Sequence, residues 1–431
     1  MRTISYKDAD YQASLAKLYN RPAAPPEAEK AAWEILQGVK EGGDQAICAY
    51  LEKFDHVSFT PDMLPVKEEE FAEAEALVSE KVKSAVACAF ANIKAFAERQ
   101  LPKDWSFSPR KGVITGEKFT PMQRVGCYIP GGTAPLVSTV LHTAAIASAA
   151  GVKEIVCTTP PRKDGKIHAE MLYAMKVAGI TEVYKMGGAY AIGAMAYGTE
   201  TVRKVEKIVG PGNAFVAAAK KLVYGEVAID MVAGPSEIMI VADEKAIPAF
   251  AAADMLSQAE HGSGLEQAVL ASSSRKFLEE VQAEIRKQCS ERKRIETIER
   301  VLEKGVFFIE TPTTAEALEI AGKYAPEHLE LMIEDARNHV AEVASAGAIF
   351  LGNWTPEPAG DFVAGPSHVL PTAGTARFFH GLSAIDFIRR SSVIEYTREA
   401  LMEEVAHIET FGEMESLDAH ARSGSIRREV K

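Results

Sequence analysis

The chain has 431 residues, which at about 150 residues per domain implies two or three domains. Lys and Arg number 48 against 60 Asp and Glu, a net charge of −12, which argues against a nucleic-acid binder that works by neutralising phosphate. Hydrophobic residues make up 47% and charged residues 25%, with 31 Gly and 21 Pro, so collagen-like and disordered classes are excluded. An anionic ligand remains allowed, because helix ends can hold one without a basic surface.

The five cysteines, Cys48, Cys88, Cys127, Cys157 and Cys289, include no CxxC pair. A sparse, odd set in a long chain fits a reducing, cytoplasmic setting. The first ten residues carry no apolar run that would mark a signal peptide. No stretch approaches about 18 consecutive apolar residues, so no membrane span is expected.

In chain order, residues 1–20 read as an N-terminal arm, and Arg21-Pro22-Ala23-Ala24-Pro25-Pro26 as Pro-rich punctuation. From Glu27 to Gln100 the pattern is mostly helical. Within it, Val86, Phe90, Ile93 and Phe96 follow the three-and-four spacing of one helix face. Residues 102–121 read as a polar loop.

Four strand–helix units follow. Strands are predicted at Arg124–Ile129, Glu154–Thr159, Glu182–Met186 and Lys207–Val209. Helices are predicted up to Ala150 and at His168–Ala178, Ala191–Tyr197 and Ala214–Tyr224. A second alternating series has strands at Ile238–Val241, Ala268–Ala271, Val306–Glu310 and Ala348–Leu351. Its helices are Ile247–Ala259, Arg275–Gln288, Thr314–Tyr324 and Ala336–Ser345. Such alternation predicts parallel sheets. The fold class is therefore α/β: two Rossmann-like parallel-sheet domains with helical N- and C-terminal arms. The expected division is an arm at 1–20, a discontinuous first domain at 21–124 and 237–380, an inserted domain at 125–236, and a C-terminal arm at 381–431. The charged tail is too poor in apolar residues to fold alone, and a second subunit is the natural body for it to pack on.

Three Gly-rich corners, Pro130-Gly131-Gly132, Gly187-Gly188 and Gly210-Pro211-Gly212-Asn213, follow predicted strands of the inserted domain. Ligands of open α/β sheets bind at that edge, and glycine lets backbone approach a ligand closely. There is no GxGxxG, and a tight turn without a ligand remains the alternative at each corner. Gly234-Pro235-Ser236 forms a fourth corner where the two sheets meet.

Seven of the ten histidines lie after residue 260. Gln258 and His261, three apart at a helix end, share a face. Glu327-His328 places a carboxylate beside an imidazole in a turn. Asp361 precedes the polar loop Gly365-Pro366-Ser367-His368, and Glu415 and His420 sit near the C-terminus. Together these supply N and O ligands suited to Zn²⁺, without thiolates, and groups suited to proton transfer. Glu334, Asp335 and His339 read as a solvated helix face.

The strings Ser257-Gln258-Ala259-Glu260-His261, Tyr324-Ala325-Pro326-Glu327-His328-Leu329-Glu330, Ile208-Val209-Gly210-Pro211-Gly212-Asn213-Ala214, Ala233-Gly234-Pro235-Ser236-Glu237 and His368-Val369-Leu370-Pro371-Thr372 resemble the histidinol dehydrogenase family, over about residues 30 to 425. The resemblance implies two NAD-dependent oxidations of L-histidinol to L-histidine through an aldehyde held on the enzyme. It implies one Zn²⁺ per subunit on Gln258, His261, Asp361 and His420. Glu327 and His328 correspond to the catalytic pair. Ser236, His368 and Glu415, with His328 and the metal ligands, correspond to substrate contacts, and Tyr128, Tyr190 and Asn213 to NAD contacts. It further implies a homodimer with shared active sites, in which Glu415 and His420 come from the partner subunit.

Four departures from the family pattern stand out. Tyr190 replaces a Gln, Ser367 replaces an Asn before His368, the stretch His142–Ile146 lacks a proline, and the loop from His261 to Gln267 is one residue longer. Two other readings compete. One is a paralogue that oxidises another small polar alcohol, such as a sulfonated diol; retained Glu415 and His420 speak against it. The other is a catalytically idle metal- or nucleotide-binding protein, which would not need Glu327-His328.

Overall fold

A computed structural model describes residues 1–21, 26–131, 135–180 and 182–430. Pro22 to Pro25 and Gly132, singled out above, lie outside the described residues. Fourteen strands are described: β1 Arg2–Ser5, β2 Trp105–Arg110, β3 Val113–Pro121, β4 Arg124–Tyr128, β5 Glu154–Thr159, β6 Glu182–Lys185, β7 Lys207–Val209, β8 Ala228–Ile229, β9 Glu237–Ala242, β10 Gln267–Ser272, β11 Val306–Glu310, β12 His328–Met332, β13 Ala348–Leu351 and β14 Ile388–Tyr396.

The chain divides into two compact units. The first is Met1–Gln100 with Met122–Phe387, and the second is Leu101–Pro121 with Ile388–Lys431. The first unit holds two all-parallel sheets, in the orders β1-β11-β10-β9-β12-β13 and β6-β5-β4-β7-β8. The predicted α/β class is therefore observed.

Strand β9, Glu-Ile-Met-Ile-Val-Ala, is buried along its whole length, as a strand covered on both faces must be. Ile238 and Ile240 pack against the helices Pro248–Ala259 and Arg275–Cys289. Met239 and Val241 point the other way, into a cluster with Leu318 and Ala321 of the helix Thr314–Tyr324.

Three expectations change. Residues 2–5, read as arm, form β1 on the edge of the larger sheet, and Tyr11, Leu15 and Leu18 of the helix Tyr11–Tyr19 enter its core. A four-residue edge strand is too short to carry a period. Residues 102–121, read as loop, supply β2 and β3 of an antiparallel sheet ordered β14-β3-β2 in the second unit. Their Trp105-Ser106-Phe107-Ser108 alternation is a strand period, but every residue of β2 before Arg110 is exposed. His328, placed in a turn, opens β12 between β9 and β13. Its polar residues His328 and Glu330 hid the strand.

The second unit continues into the helices Arg398–Met414 and Asp418–Ser425. The expected helix 336–345 is a 3₁₀ turn at Ala336–Glu342, and His339 spends its Nδ1 on Glu342 at 3.0 Å. No helix of the described residues is long and apolar enough to cross a membrane.

Candidate active site

Two regions of the first unit gather the predicted site residues. One is the carboxyl edge of the five-stranded sheet. Tyr128 ends β4, Gly187 follows β6, and Gly210 follows β7. Gly210 has φ +118, and a Cβ there would lie 2.2 Å from the Tyr128 carbonyl oxygen, so only glycine closes this corner. Its N–H donates to Asp230 (2.8 Å) and its carbonyl accepts from buried Lys220 (2.8 Å). Asn213 caps the helix Ala214–Val223, its side-chain oxygen accepting from the Phe215 and Val216 N–H groups at 3.1 Å.

Tyr190, a predicted NAD contact, lies in the core. Its side chain is 1% exposed within the core and its hydroxyl donates to Asp55. A phenol longer than an amide has turned inward, where burial raises its pKa and holds it neutral. Tyr128 is also buried; its hydroxyl accepts from the Gly188 N–H at 3.1 Å, and burial pushes its pKa up to about 12.

The second region lies at the amino end of the larger sheet. Glu327 and His328 enter β12 beside Glu237, the first residue of β9. The Glu237 N–H donates to Glu327 Oε2 (2.8 Å), and its carbonyl accepts from His328 Nδ1 (3.1 Å). With Nδ1 committed, His328 turns Nε2 toward Asp361 Oδ1 at 3.4 Å and Glu357 Oε1 at 3.8 Å. Glu357 and Asp361 lie four apart on the helix Glu357–Phe362 and so share a face. Glu357 was missed in the sequence, although this spacing was visible there. Ser257 donates to Glu357 Oε2 at 3.0 Å, tying in the helix that carries Gln258. Gln258 is fully buried, while His261 is exposed with Nδ1 3.2 Å from the Gln258 carbonyl. Ser236, half-buried, directly precedes Glu237.

Burial raises Glu327 to about 8, against the attraction of His328. Glu357 also rises to about 8, through burial and then the Asp361 charge. For His328 burial favours the neutral form, yet Glu327, Asp361 and Glu357 raise it to about 10. Asp361 is half-buried, and although loss of water opposes its charge, His328 and His368 hold it below the usual carboxylate range. Behind them, Glu330 is raised by burial and then Asp254. The site is a negative pocket that shares protons over several groups.

Among the described residues, Gln258 Oε1, His328 Nε2 and Glu357 Oε1 are buried without hydrogen-bond partners. Ligand atoms of His328, Glu357 and Asp361 lie within 4.8 Å of one another. Converging N and O donors with surplus negative charge fit a dication of the Zn²⁺ type.

His368 donates from Nδ1 to the Asp361 carbonyl (3.1 Å) and accepts at Nε2 from the Thr139 hydroxyl (3.1 Å). His328, Asp361 and His368 line a cavity of about 540 Å³ with Phe96 and Ser367, a volume suited to a small molecule. Phe96, on the helix face noted above, is 40% exposed and forms part of its wall. In the loop after His261, buried Glu266 accepts from the Ser263 and Gly264 N–H groups at 2.6 and 2.8 Å. Glu415 and His420 lie in the second unit, both exposed. His420 borders a shallow hollow with Leu401, Ile408 and Gly424.

The histidinol dehydrogenase family profile matches residues 20–428. The histidinol dehydrogenase of Geobacillus kaustophilus is 45% identical over 404 residues, 94% of each chain. That of Bacillus subtilis is 44% identical over 406 residues, again 94% of each. The crystal structure of histidinol dehydrogenase from Elizabethkingia anophelis superposes with a TM-score of 0.94 at 36% identity, covering 100% of this chain and 98% of that one. A shared profile, near-complete coverage and a matching fold together place this chain in the histidinol dehydrogenase family.

Proposed function

We propose that this protein is a zinc-dependent dehydrogenase. It oxidises L-histidinol to L-histidine with two NAD, through L-histidinaldehyde, at the end of histidine biosynthesis. The observation that carries this reading is the Glu327–His328 pair, fixed by the Glu237 backbone, with His328 Nε2 3.4 Å from Asp361 in the cavity wall. A cationic amino alcohol suits the negative field of Glu327, Glu357 and Asp361. Gln258, His261, Asp361 and His420 would hold Zn²⁺, which would supply an anchor for the substrate's nitrogens, and the Gly-rich edge near Tyr128 and Asn213 would hold NAD, which would supply the hydride acceptor.

The chain's own groups move the protons. His328 has Nδ1 pinned, and with the Asp361 charge spent on a bound cation the ring would be neutral, so that Nε2 would take the hydroxyl proton as hydride leaves the carbinol carbon. This yields the aldehyde. Glu327 then removes a proton from water as it adds to the aldehyde, and His328 returns the proton it took to the former carbonyl oxygen, giving a hydrate and leaving the imidazole neutral. His328 accepts the hydrate's proton in the second oxidation, which leaves the carboxylate. Ser236 and His368 orient the substrate, His368 from the cavity wall.

Glu415 and His420 complete the site from a second copy of the chain. Support comes from the second unit, which exposes Ile394, Phe411 and Met414 at 68%, 62% and 72%, apolar surface that a second copy would cover. Five free thiols support a cytoplasmic setting.

The test is to supply L-histidinol, NAD and Zn²⁺ and count products. Two NADH per histidine formed is the expected result. Turnover of another alcohol without turnover of histidinol would overturn it.

A further inference from the structure

One buried imidazole beside the site has no part in the mechanism above. His142 is fully buried, and neither ring nitrogen has a hydrogen-bond partner among the described residues. A buried polar ring without partners is costly and calls for a compensating role. Its neighbour is His368: the two rings stack with centroids 4.4 Å apart and planes 22° from parallel.

Three further features fix this arrangement. The helix that begins at Val137, just after the Gly-rich corner, widens into a π-turn at Leu141–Ala145. Such turns re-aim side chains and recur at functional sites. The Thr143 hydroxyl braces the turn by donating to the Thr139 carbonyl at 2.6 Å, and Thr139 itself holds His368 Nε2. Ser367 donates from its hydroxyl to the His142 carbonyl at 2.9 Å and accepts from the Val369 N–H at 3.1 Å. Residues 142 and 367, remote in sequence, therefore meet across one contact. His368 is gripped on its face by His142, at Nε2 by Thr139 and at Nδ1 by Asp361.

We propose that His142 is a positioning residue: its ring, stacked on His368, holds that imidazole against the Asp361 carbonyl and thereby sets the affinity for the substrate. The inference rests on the dehydrogenase reading for its kinetic consequence, though not for its geometry. Stacking needs a flat ring, not an imidazole. His142→Phe should keep it and His142→Leu should lose it.

The experiment compares both variants with the parent holoenzyme, using L-histidinol, NAD and Zn²⁺. His142→Leu should raise KM for L-histidinol about tenfold with kcat within about twofold, and His142→Phe should stay within about twofold on both. An unchanged KM in His142→Leu, or an equal defect in His142→Phe, would overturn the proposal. So would joint loss of kcat and melting temperature, which marks a merely structural role. A second readout needs no turnover: ¹⁵N-histidine NMR, with the His368 signal assigned by His368→Asn. One Nδ1-protonated form is expected in the parent and in His142→Phe, and averaged tautomers in His142→Leu. An identical His368 signal in His142→Leu refutes the positioning role. If the parent makes no NADH, the dehydrogenase reading has failed by itself and the NMR comparison decides this one.

Discussion

At the scale of single residues, chemistry follows from which atom of each group is already spent. His328 Nδ1 is committed to the Glu237 carbonyl, so only Nε2 can act on a substrate. His328→Asn should keep the fold and the zinc content yet lower kcat by about a hundredfold or more. Zinc analysis of the purified variant checks it, and loss of metal would make His328 a ligand with Glu357 and Asp361 instead. Glu327 gives a pH prediction. Burial raises it to about 8, and a base works only after losing its proton. Aldehyde oxidation should therefore rise with pH between about 7 and 9, and Glu327→Gln should abolish that rise. The sequence showed these residues as a pair but not their geometry. Glu357 and His142 were harder to see, because neither a lone acid nor a lone histidine declares its neighbours.

At the scale of elements, the long periodic segments were legible and the short or polar ones were not. Strand β9 is a continuous apolar run and reads directly as buried β. Strand β12 carries His328 and Glu330, which share one face and point at the carboxylates of the site. Its function is what disguised it. Strand β1 is held by Glu310, which accepts from Ser5 (2.8 Å) and Lys7 (2.7 Å). The Lys7 hydrogen bond keeps Glu310 below its usual pKa although burial opposes it. A carboxylate depressed in the folded state stabilises above its unfolded pKa, and that stability fades as pH falls through the folded value. Glu310→Gln should cost about 1–2 kcal/mol at pH 7. The gap in melting temperature from the parent should close below about pH 4; a gap that persists in acid would mean that charge is not the cause.

At the scale of the whole molecule, Glu415 and His420 sit exposed in a different unit from Glu327, His328 and Asp361. If a second copy supplies them, His328→Asn and His420→Ala chains should complement each other. An equal, fully exchanged mixture should recover about a quarter of parental activity, since half the dimers carry one intact site. No recovery despite exchange proven by native mass spectrometry would rule out a shared site. The sequence by itself determined the α/β class, the Gly-rich corners and the residue types of the site, because period, turn chemistry and ligand chemistry are local properties. Only the tertiary structure decided that the Glu–His pair lies at the amino end of a central strand, that Tyr190 turns inward to Asp55, and that His142 stacks on His368. The distance between residues remote in sequence depends on how sheets and helices pack, and no local pattern records it.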